Sequence, residues 1–551
     1  MMVALIIVIG ILVLLGLFLV VLVASADYRK PDVEIDKLKY VLDQQADEFR
    51  SCACGSMQKN AHGLWEAKVC GNPVDRGCAL GAMSADLLEH QENVFVSFIK
   101  SVLGSDRYMR FLYYVTVLFT RKMSRYIPEE NRKEIYALST YCSTSFSSFG
   151  KPYFRQMNYH AAHDIGHMMQ DYMLVGCTSF AVWGNKSADG ALLVARNFDF
   201  YAGEGFSRNR IVLFVAPDQG HKYVSVTWPG MTGVISGMNE KGLTVTLNAA
   251  KGKIPMSASL PVSLLARQIL QYAGNIEEAL EIARRGRTFV SETFLISSRE
   301  DSRAVVIEKT AKTTAVYEGV RDGEGGRIIC TNHFQSAGLL DDDYNKENMS
   351  ASDSTYRWAR VSELLDSIGP VGVGEAVSVL RDRSGLAGAE IGEGNPKAIN
   401  QAIAHHSVIF CPESLKMWVS TEPWQSGEFI CYDMEKAFSS EMVPGTSLAL
   451  EELSVPADDD YIIKVYPGLM EYRTLCSECK AATSKKIRFD VSRRERMAAL
   501  NPEYYETYEI IGDNLMSAGC REEAMSYWLK ALEKEIPAEQ IRNNLNKKIS
   551  K

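Results

Sequence analysis

The chain has 551 residues, of which 46% are hydrophobic and 23% charged, with a formal net charge of -8. This length exceeds one compact domain, and the ordinary apolar content marks a folded protein rather than a disordered one. The negative balance, with no basic run or aromatic-basic stripe, excludes a nucleic-acid surface.

Val3 to Val23 form an apolar, uncharged stretch, about 21 residues and long enough to span a bilayer as a helix. Ala24-Ser25-Ala26 resembles a signal-peptidase site, but no Lys or Arg precedes the run. The reading is an uncleaved anchor over 1–26, with a catalytic part outside the cytoplasm; a cleaved signal and secretion is the alternative. Arg29 and Lys30 leave the orientation open.

Residues 33–51 read as an amphipathic helix (Val33, Ile35, Leu38, Val41, Leu42, Phe49). Cys52, Cys54, Cys70 and Cys78 follow among Gly71, Pro73 and Gly77. This patch reads as a disulfide-stapled loop region, since the spacings match no common zinc pattern. Residues from Met83 to about Gln170 are again helical in pattern, with a start at Ser84-Ala-Asp86. The segment 27–176 is thus expected to be helical, with a cysteine patch. His160, His163 and His167 share one helix face. Without a carboxylate-rich loop to complete a metal site, they read as a polar packing face.

At Gly176-Cys177 the texture changes from helix to strand. Short strands then alternate with turns: Cys177 to Trp183, Ala191 to Ala195, Arg210 to Val215 and Tyr223 to Trp228. Asn239-Glu-Lys-Gly242 is a hairpin turn before Leu243 to Asn248. Helices over Leu260–Tyr272 and Ile276–Arg285 follow, then strands, two further helices, and closing strands to Asp433. Strands, helices, strands, helices, strands suit an α+β fold with helices outside paired antiparallel sheets, spanning 177–450. Residues 451–500 read as a connecting segment or short subdomain, and Cys476-Ser-Glu-Cys479 within it lacks the context of a redox pair. In 501–551, Tyr508, Gly512, Leu515, Ala524, Trp528 and Ala531 give a single tetratricopeptide-like pattern, a candidate for contact with a protein partner.

If the Gly176–Cys177 bond is cut, Cys177 carries both a thiol nucleophile and an α-amine base. A free α-amine titrates at roughly 7.7–8.0 and so takes up a proton near neutrality. Cys177-Thr-Ser-Phe, Gly190 to Asp199 with its Arg196-Asn-Phe-Asp199, Gly237-Met-Asn-Glu-Lys-Gly-Leu243 and His406-Ser-Val-Ile-Phe together resemble the N-terminal-nucleophile hydrolases. The match lies with the autoproteolytic acyltransferase/hydrolase family typified by isopenicillin N acyltransferase. Choloylglycine hydrolases and acid ceramidases are more distantly similar. The resemblance covers roughly residues 150–435. It implies a four-layer αββα sandwich and self-cleavage between Gly176 and Cys177, so that the chain is a zymogen. It also implies catalytic roles for Arg196, Asp199, Asn248 and Asn332, and a substrate-binding role for Arg357, with Arg360 as the register alternative. No cofactor or metal is called for.

The function expected is that of a cysteine amidohydrolase or acyltransferase. It would act on a small acyl-amide at a non-peptide bond, through an acyl-thioester on Cys177. The alternative is a membrane-anchored, non-catalytic scaffold that keeps the fold and binds partners through its C-terminal helices. A thiol-redox role for Cys476 and Cys479 is a third, weaker reading.

Overall fold

The computed structural model describes residues 21–23, 25–26, 30–46, 48–167, 176–203, 205–253, 255–323 and 325–550. A β meander comes first: β1 (Gln44–Ala46), β2 (Phe49–Cys52), β3 (Gly55–Lys59) and β4 (Trp65–Gly71). Five helices follow: α1 (Pro73–Met83), α2 (Ala85–Leu103), α3 (Asp106–Thr120), α4 (Glu129–Ser139) and α5 (Pro152–His167). The start of α1 is set locally: Pro73 opens the helix, and the Asn72 side chain accepts from the Val74 and Asp75 amides.

Six strands come next: β5 (Thr178–Trp183), β6 (Leu193–Asp199), β7 (Ile211–Pro217), β8 (Tyr223–Thr227), β9 (Ser236–Asn239) and β10 (Leu243–Ala249). Helices α6 (Val262–Tyr272) and α7 (Ile276–Arg285) separate them from β11 (Glu292–Ser298), β12 (Arg303–Lys309), β13 (Thr314–Tyr317), β14 (Val320–Asp322) and β15 (Gly325–Cys330). Helices α8 (Asp343–Ala351), α9 (Ser354–Ile368) and α10 (Val373–Leu380) precede β16 (Ala404–Cys411), β17 (Lys416–Ser420) and β18 (Phe429–Asp433). The chain continues as α11 (Met434–Ser439), α12 (Asp459–Lys464), α13 (Tyr466–Ser484), α14 (Val491–Leu500), α15 (Tyr505–Ser517), α16 (Arg521–Leu532) and α17 (Glu539–Ser550).

The strands form an eleven-stranded sheet, β1-β2-β3-β4-β7-β8-β9-β10-β11-β12-β13, and a seven-stranded sheet, β14-β15-β5-β6-β16-β17-β18. The sheets face each other across a core that includes Val194, Val226, Leu295, Val306, Val408 and Val419. On its other face the larger sheet packs against α1, α6 and α7 through residues such as Ala79, Leu265, Ile269 and Ala279. The smaller sheet is covered by α9 and α10 through Val361, Val377 and Leu380. The result is the αββα arrangement expected from the sequence. With a layer on each side, β5 and β6 are buried along their whole length, so their sequences lack polar alternation.

Several expectations need correction. Among the described residues no helix is long and apolar enough to cross a membrane. The membrane anchor, and the extracytoplasmic placement drawn from it, are therefore not supported. Most of the apolar stretch 3–23 lies outside the described residues. The helix expected over 33–51 is instead a short 3-10 turn at Lys37–Tyr40 followed by β1 and β2. The cysteine patch is no stapled loop: its cysteines sit on or beside β2, β4 and α1, and no disulfide is placed among the twelve cysteines. This meander extends the larger sheet, because β4 pairs in parallel with β7 from Trp65↔Ile211 to Gly71↔Pro217.

The segment 451–500 is mostly helical rather than a linker. Its helices α13 and α14 share a core with α15–α17 through Leu475, Met497, Tyr508, Ile511 and Trp528. The helices α15 and α16 form one pair, with Gly512 set so close to Trp528 that a Cβ would stand 2.5 Å from its Nε1. A tetratricopeptide assignment is not supported: the pair packs on α13 within this one helical unit.

Candidate functional site

The site forms where β5 and β6 lie side by side inside the smaller sheet. The ladder pairs Thr178 with Asn197 and Ser179 with Arg196. This register sets Cys177, just ahead of β5, beside the end of β6, where Asp199 closes the strand. Cys177, Arg196 and Asp199 are all fully buried. Arg196 points its Nη2 at the Cys177 sulfur, 3.6 Å away. The guanidinium is anchored elsewhere as well: Nη1 donates to the Ile235 carbonyl at 2.9 Å and to Ser236 Oγ at 2.5 Å, and Nη2 also donates to the Leu247 carbonyl. Its face lies over the Phe198 ring, 4.7 Å from the centroid.

Burial pushes the Cys177 thiol up to about 11; Arg196 opposes that rise, and the Asp199 and Glu292 carboxyls add to it. In the intact chain the thiol is therefore protonated at neutral pH. Burial likewise lifts the Asp199 carboxyl to about 8, against the pull of Arg357 and Arg196. Neither Asp199 oxygen has a hydrogen-bond partner among the described residues. A buried carboxyl without partners is costly, and such groups concentrate where chemistry is done.

Gly176 is held at both ends of its peptide unit. Its N–H donates to the Asp199 backbone carbonyl at 3.1 Å, and its own carbonyl oxygen accepts from Gln401 Nε2 at 2.8 Å. A Cβ on residue 176 would meet that amide nitrogen at 2.7 Å, so glycine is what allows the approach. The preceding residues 168–175 lie outside the described residues.

The two predicted asparagines stand on the same side of the site. Asn248 accepts from Ser179 Oγ at 2.8 Å and donates to the Cys330 carbonyl at 2.9 Å. Asn332 donates to the Ala249 carbonyl at 2.9 Å and accepts from Arg357 Nη2 at 2.7 Å. Each carboxamide thus commits one N–H to the backbone and keeps a second. Arg357 also donates to the Cys177 carbonyl at 2.6 Å and to Thr178 Oγ1 at 2.8 Å. The register alternative, Arg360, is instead paired with Asp382 and Glu363.

Four neighbours were missed by sequence reasoning as site residues: Ser236, Gln401, His405 and His406. Ser236 Oγ lies 2.8 Å from His406 Nε2, and His406 Nδ1 lies 2.9 Å from His405 Nδ1. His406 stood inside a recognised motif, but its partner Ser236 is 170 residues away. Gln401 sits in a loop ahead of β16 and carries no local signal. By contrast His160 is structural. It is buried, bonded to the Gln156 carbonyl and to Thr232, and burial holds its pKa down to about 4. The side chains of His163 and His167 lie outside the described residues, and among the described residues no metal-binding cluster occurs. Burial raises Cys476 to about 11 and Cys479 to about 12, which suits inert thiols in a helical core.

A narrow cleft of about 40 Å³ opens between α2, α5 and the turns after β6 and β8, lined by Leu88, Phe95, Phe200, Phe206, Trp228 and Met231 among others. Phe198, Phe200 and Trp228 lie nearly parallel, with interplanar angles of 4° to 8°. These rings form a continuous wall from Arg196 to the cleft.

Residues 184–422 match the family model of acyl-coenzyme A:6-aminopenicillanic acid acyl-transferase. Over this stretch the chain is thus similar to an acyltransferase family, in line with the resemblance drawn from the sequence. The match to this acyltransferase family takes in Arg196, Asp199, Asn248, Asn332 and Arg357, and begins seven residues after Cys177. An uncharacterized protein of Archaeoglobus fulgidus is 24% identical over 283 residues, covering 47% of this chain and 46% of its own length. The chain therefore spans about half of that relative. Among solved structures, a Caenorhabditis elegans ortholog of N-acylethanolamine-hydrolyzing acid amidase is 19% identical, with 43% of this chain and 93% of that one covered, at a TM-score of 0.32. A mutant of conjugated bile acid hydrolase from Clostridium perfringens is 14% identical, with 49% and 98% covered, also at 0.32.

Proposed function

We propose that the chain is the precursor of a cysteine amidohydrolase or acyltransferase, activated when it cuts its own Gly176–Cys177 bond. The observation that carries this reading is the pairing at that bond. The Cys177 sulfur stands 3.6 Å from Arg196, while the Gly176 carbonyl oxygen already holds a donor, Gln401, at 2.8 Å.

In the scission, Cys177 Sγ attacks the Gly176 carbonyl carbon. The thiol proton passes to water, and the Gln401 N–H holds the oxyanion that forms on Gly176. The C–N bond then breaks, leaving Gly176 as a thioester on the sulfur and Cys177 with a free α-amine. Asp199, protonated below about pH 8, is suited to give the departing nitrogen its proton. Water hydrolyses the thioester, which yields a Gly176 carboxylate and a free thiol.

In turnover the α-amine takes the thiol proton, and the thiolate attacks the acyl carbonyl of a small amide. The substrate C–N bond breaks, and its amine leaves with the proton from the α-ammonium. Water or an acceptor amine then releases the acyl group. The uncommitted N–H groups of Asn248 and Asn332 suit the oxyanion, where one donor is worth about 3–4 kcal/mol of barrier. Asp199 pairs with the α-ammonium.

Incubating the purified chain and sequencing the new N-terminus tests this. A new chain beginning Cys-Thr-Ser-Phe is expected, and Cys177→Ala abolishes it. A chain that stays intact under all conditions, or a Cys177→Ala variant that still splits there, sinks the reading.

A further inference from the structure

We infer that Ser236, His406 and His405 form a directional hydrogen-bond relay that positions Arg196 against the Cys177 sulfur. The inference rests on the reading of Cys177 as nucleophile and deepens it. None of the three is exposed by more than 1% of its surface. They come from two different sheets: Ser236 opens β9 in the larger sheet, and the two histidines lie on β16 in the smaller one.

The direction follows from donor and acceptor chemistry. A guanidinium only donates, so Ser236 Oγ accepts from Arg196 Nη1 at 2.5 Å. The Ser236 hydroxyl proton then needs an acceptor, and His406 Nε2 lies 2.8 Å away. A neutral His406 accepting at Nε2 carries its proton on Nδ1, which donates to His405 Nδ1 at 2.9 Å. His405 is thereby left as the Nε2–H tautomer. Its Nε2 has no hydrogen-bond partner among the described residues, and its ring packs edge-on against Trp228 at 5.1 Å. Both rings stay neutral: burial and the nearby cations Arg196 and Arg210 hold them well below the usual histidine range.

The consequence is mechanical. With its proton drawn to His406, the Ser236 oxygen turns a lone pair to Arg196. Nη1 is then pinned by Ser236 and the Ile235 carbonyl, and the planar fork leaves Nη2 aimed at the sulfur. An apolar residue at 406 would free the serine proton to compete for that position. These three residues touch no reacting atom; they are positioning residues.

Two measurements test the relay. In the full chain carrying Cys177→Ala, long-range 1H–15N spectra of labelled histidine report the tautomers without any need for catalysis. His406 protonated on Nδ1 and His405 on Nε2 are expected; His406 protonated on Nε2 overturns the relay. In the processed protein, the rate of iodoacetamide alkylation of Cys177 is followed against pH. Ser236→Ala and His406→Leu are expected to alkylate at least about ten-fold more slowly at pH 8, with the midpoint moved upward. The turnover number falls in step, while KM stays within about two-fold. His406→Gln, whose side-chain oxygen can accept from Ser236, keeps the rate within about three-fold. Equal damage from Leu and Gln at 406, or an unshifted profile in Ser236→Ala, overturns the proposal. Should His406→Leu not fold, Ser236→Ala decides alone. If the tautomers are as expected but Cys177 alkylates no faster than Cys330, the nucleophile reading fails, and the relay falls with it because an inert thiol needs no positioning.

Discussion

The side-chain amide of Gln401 donates to the carbonyl oxygen of Gly176 at 2.8 Å, across 225 residues of sequence. A donor placed there before any reaction is worth most when the oxygen becomes an anion. Gln401→Leu is expected to slow self-cleavage by roughly 10²–10³-fold, the usual loss for one oxyanion donor. Gel densitometry of the intact chain over time measures it. A variant that cuts at the normal rate removes Gln401 from the mechanism.

Asp199 makes a second prediction, about stability. Its folded pKa, about 8, lies above the ordinary carboxylate value. The folded chain therefore keeps a proton that the unfolded chain has released between about pH 4 and pH 8. The group's contribution is fully present below about pH 4 and is lost as pH rises through 8. In a Cys177→Ala background, Asp199→Asn should melt higher than its parent at about pH 8, and the gap should close toward about pH 4. Calorimetric melting across that range checks both sign and window.

Glu134 on α4 is gripped by Arg76 of α1 at 2.7 Å and by Arg267 of α6 at 2.7 Å, all of them buried. Burial raises the Glu134 pKa, but Arg267 and Arg76 more than reverse this, so its net shift is downward. Stability from this cluster is thus present above the unfolded pKa and lost as pH falls through the lower folded value. Glu134→Ala leaves Arg267 and Arg76 with only the half-buried Glu130, at 3.9 Å and 2.8 Å, and should cost about 3–5 kcal/mol in denaturant unfolding. After scission, the same variant should also weaken association of the two fragments on size exclusion.

The cysteines give a simple chemical prediction. Thiol titration in denaturant, under conditions that block oxidation, should count all twelve, and reductant should leave the melting temperature unchanged. Loss of stability on reduction would mean that bridges form in solution.

Much of the fold over residues 177–450 was legible because local signals and tertiary structure agree there. The helix read over Ile276–Arg285 matches α7, where Asn275 caps the first turn through the Glu278 amide. The turn at Asn239–Gly242 is where β9 meets β10, with Gly242 at φ 76. The errors cluster where tertiary pairing overrode composition. Residues 44–71 look loop-like because of their cysteines and glycines, yet they form strands because β7 offers β4 a partner far downstream, with Trp65 set against Ile211. Glu66, on β4, hides a charge in the core by bonding to Asn60, Tyr432 and the Leu448 amide. No sequence pattern shows such a partner set. Cys177, Arg196 and Asp199 are named by a motif resemblance and meet on one strand pair, whereas Gln401 and Ser236 come beside them only through folding.

The parallel ladder of β4 on β7 means that the large sheet is a joint possession of the two prospective fragments. Scission at Gly176 would leave that ladder stitched by hydrogen bonds alone. A catalytic fragment made by itself would bare the flank of β7, a long apolar rim ready to recruit any passing strand. A chain cut at Gly176 would therefore need to fold first and be cut afterwards, with residues 44–71 serving as the selvedge that keeps the sheet from fraying.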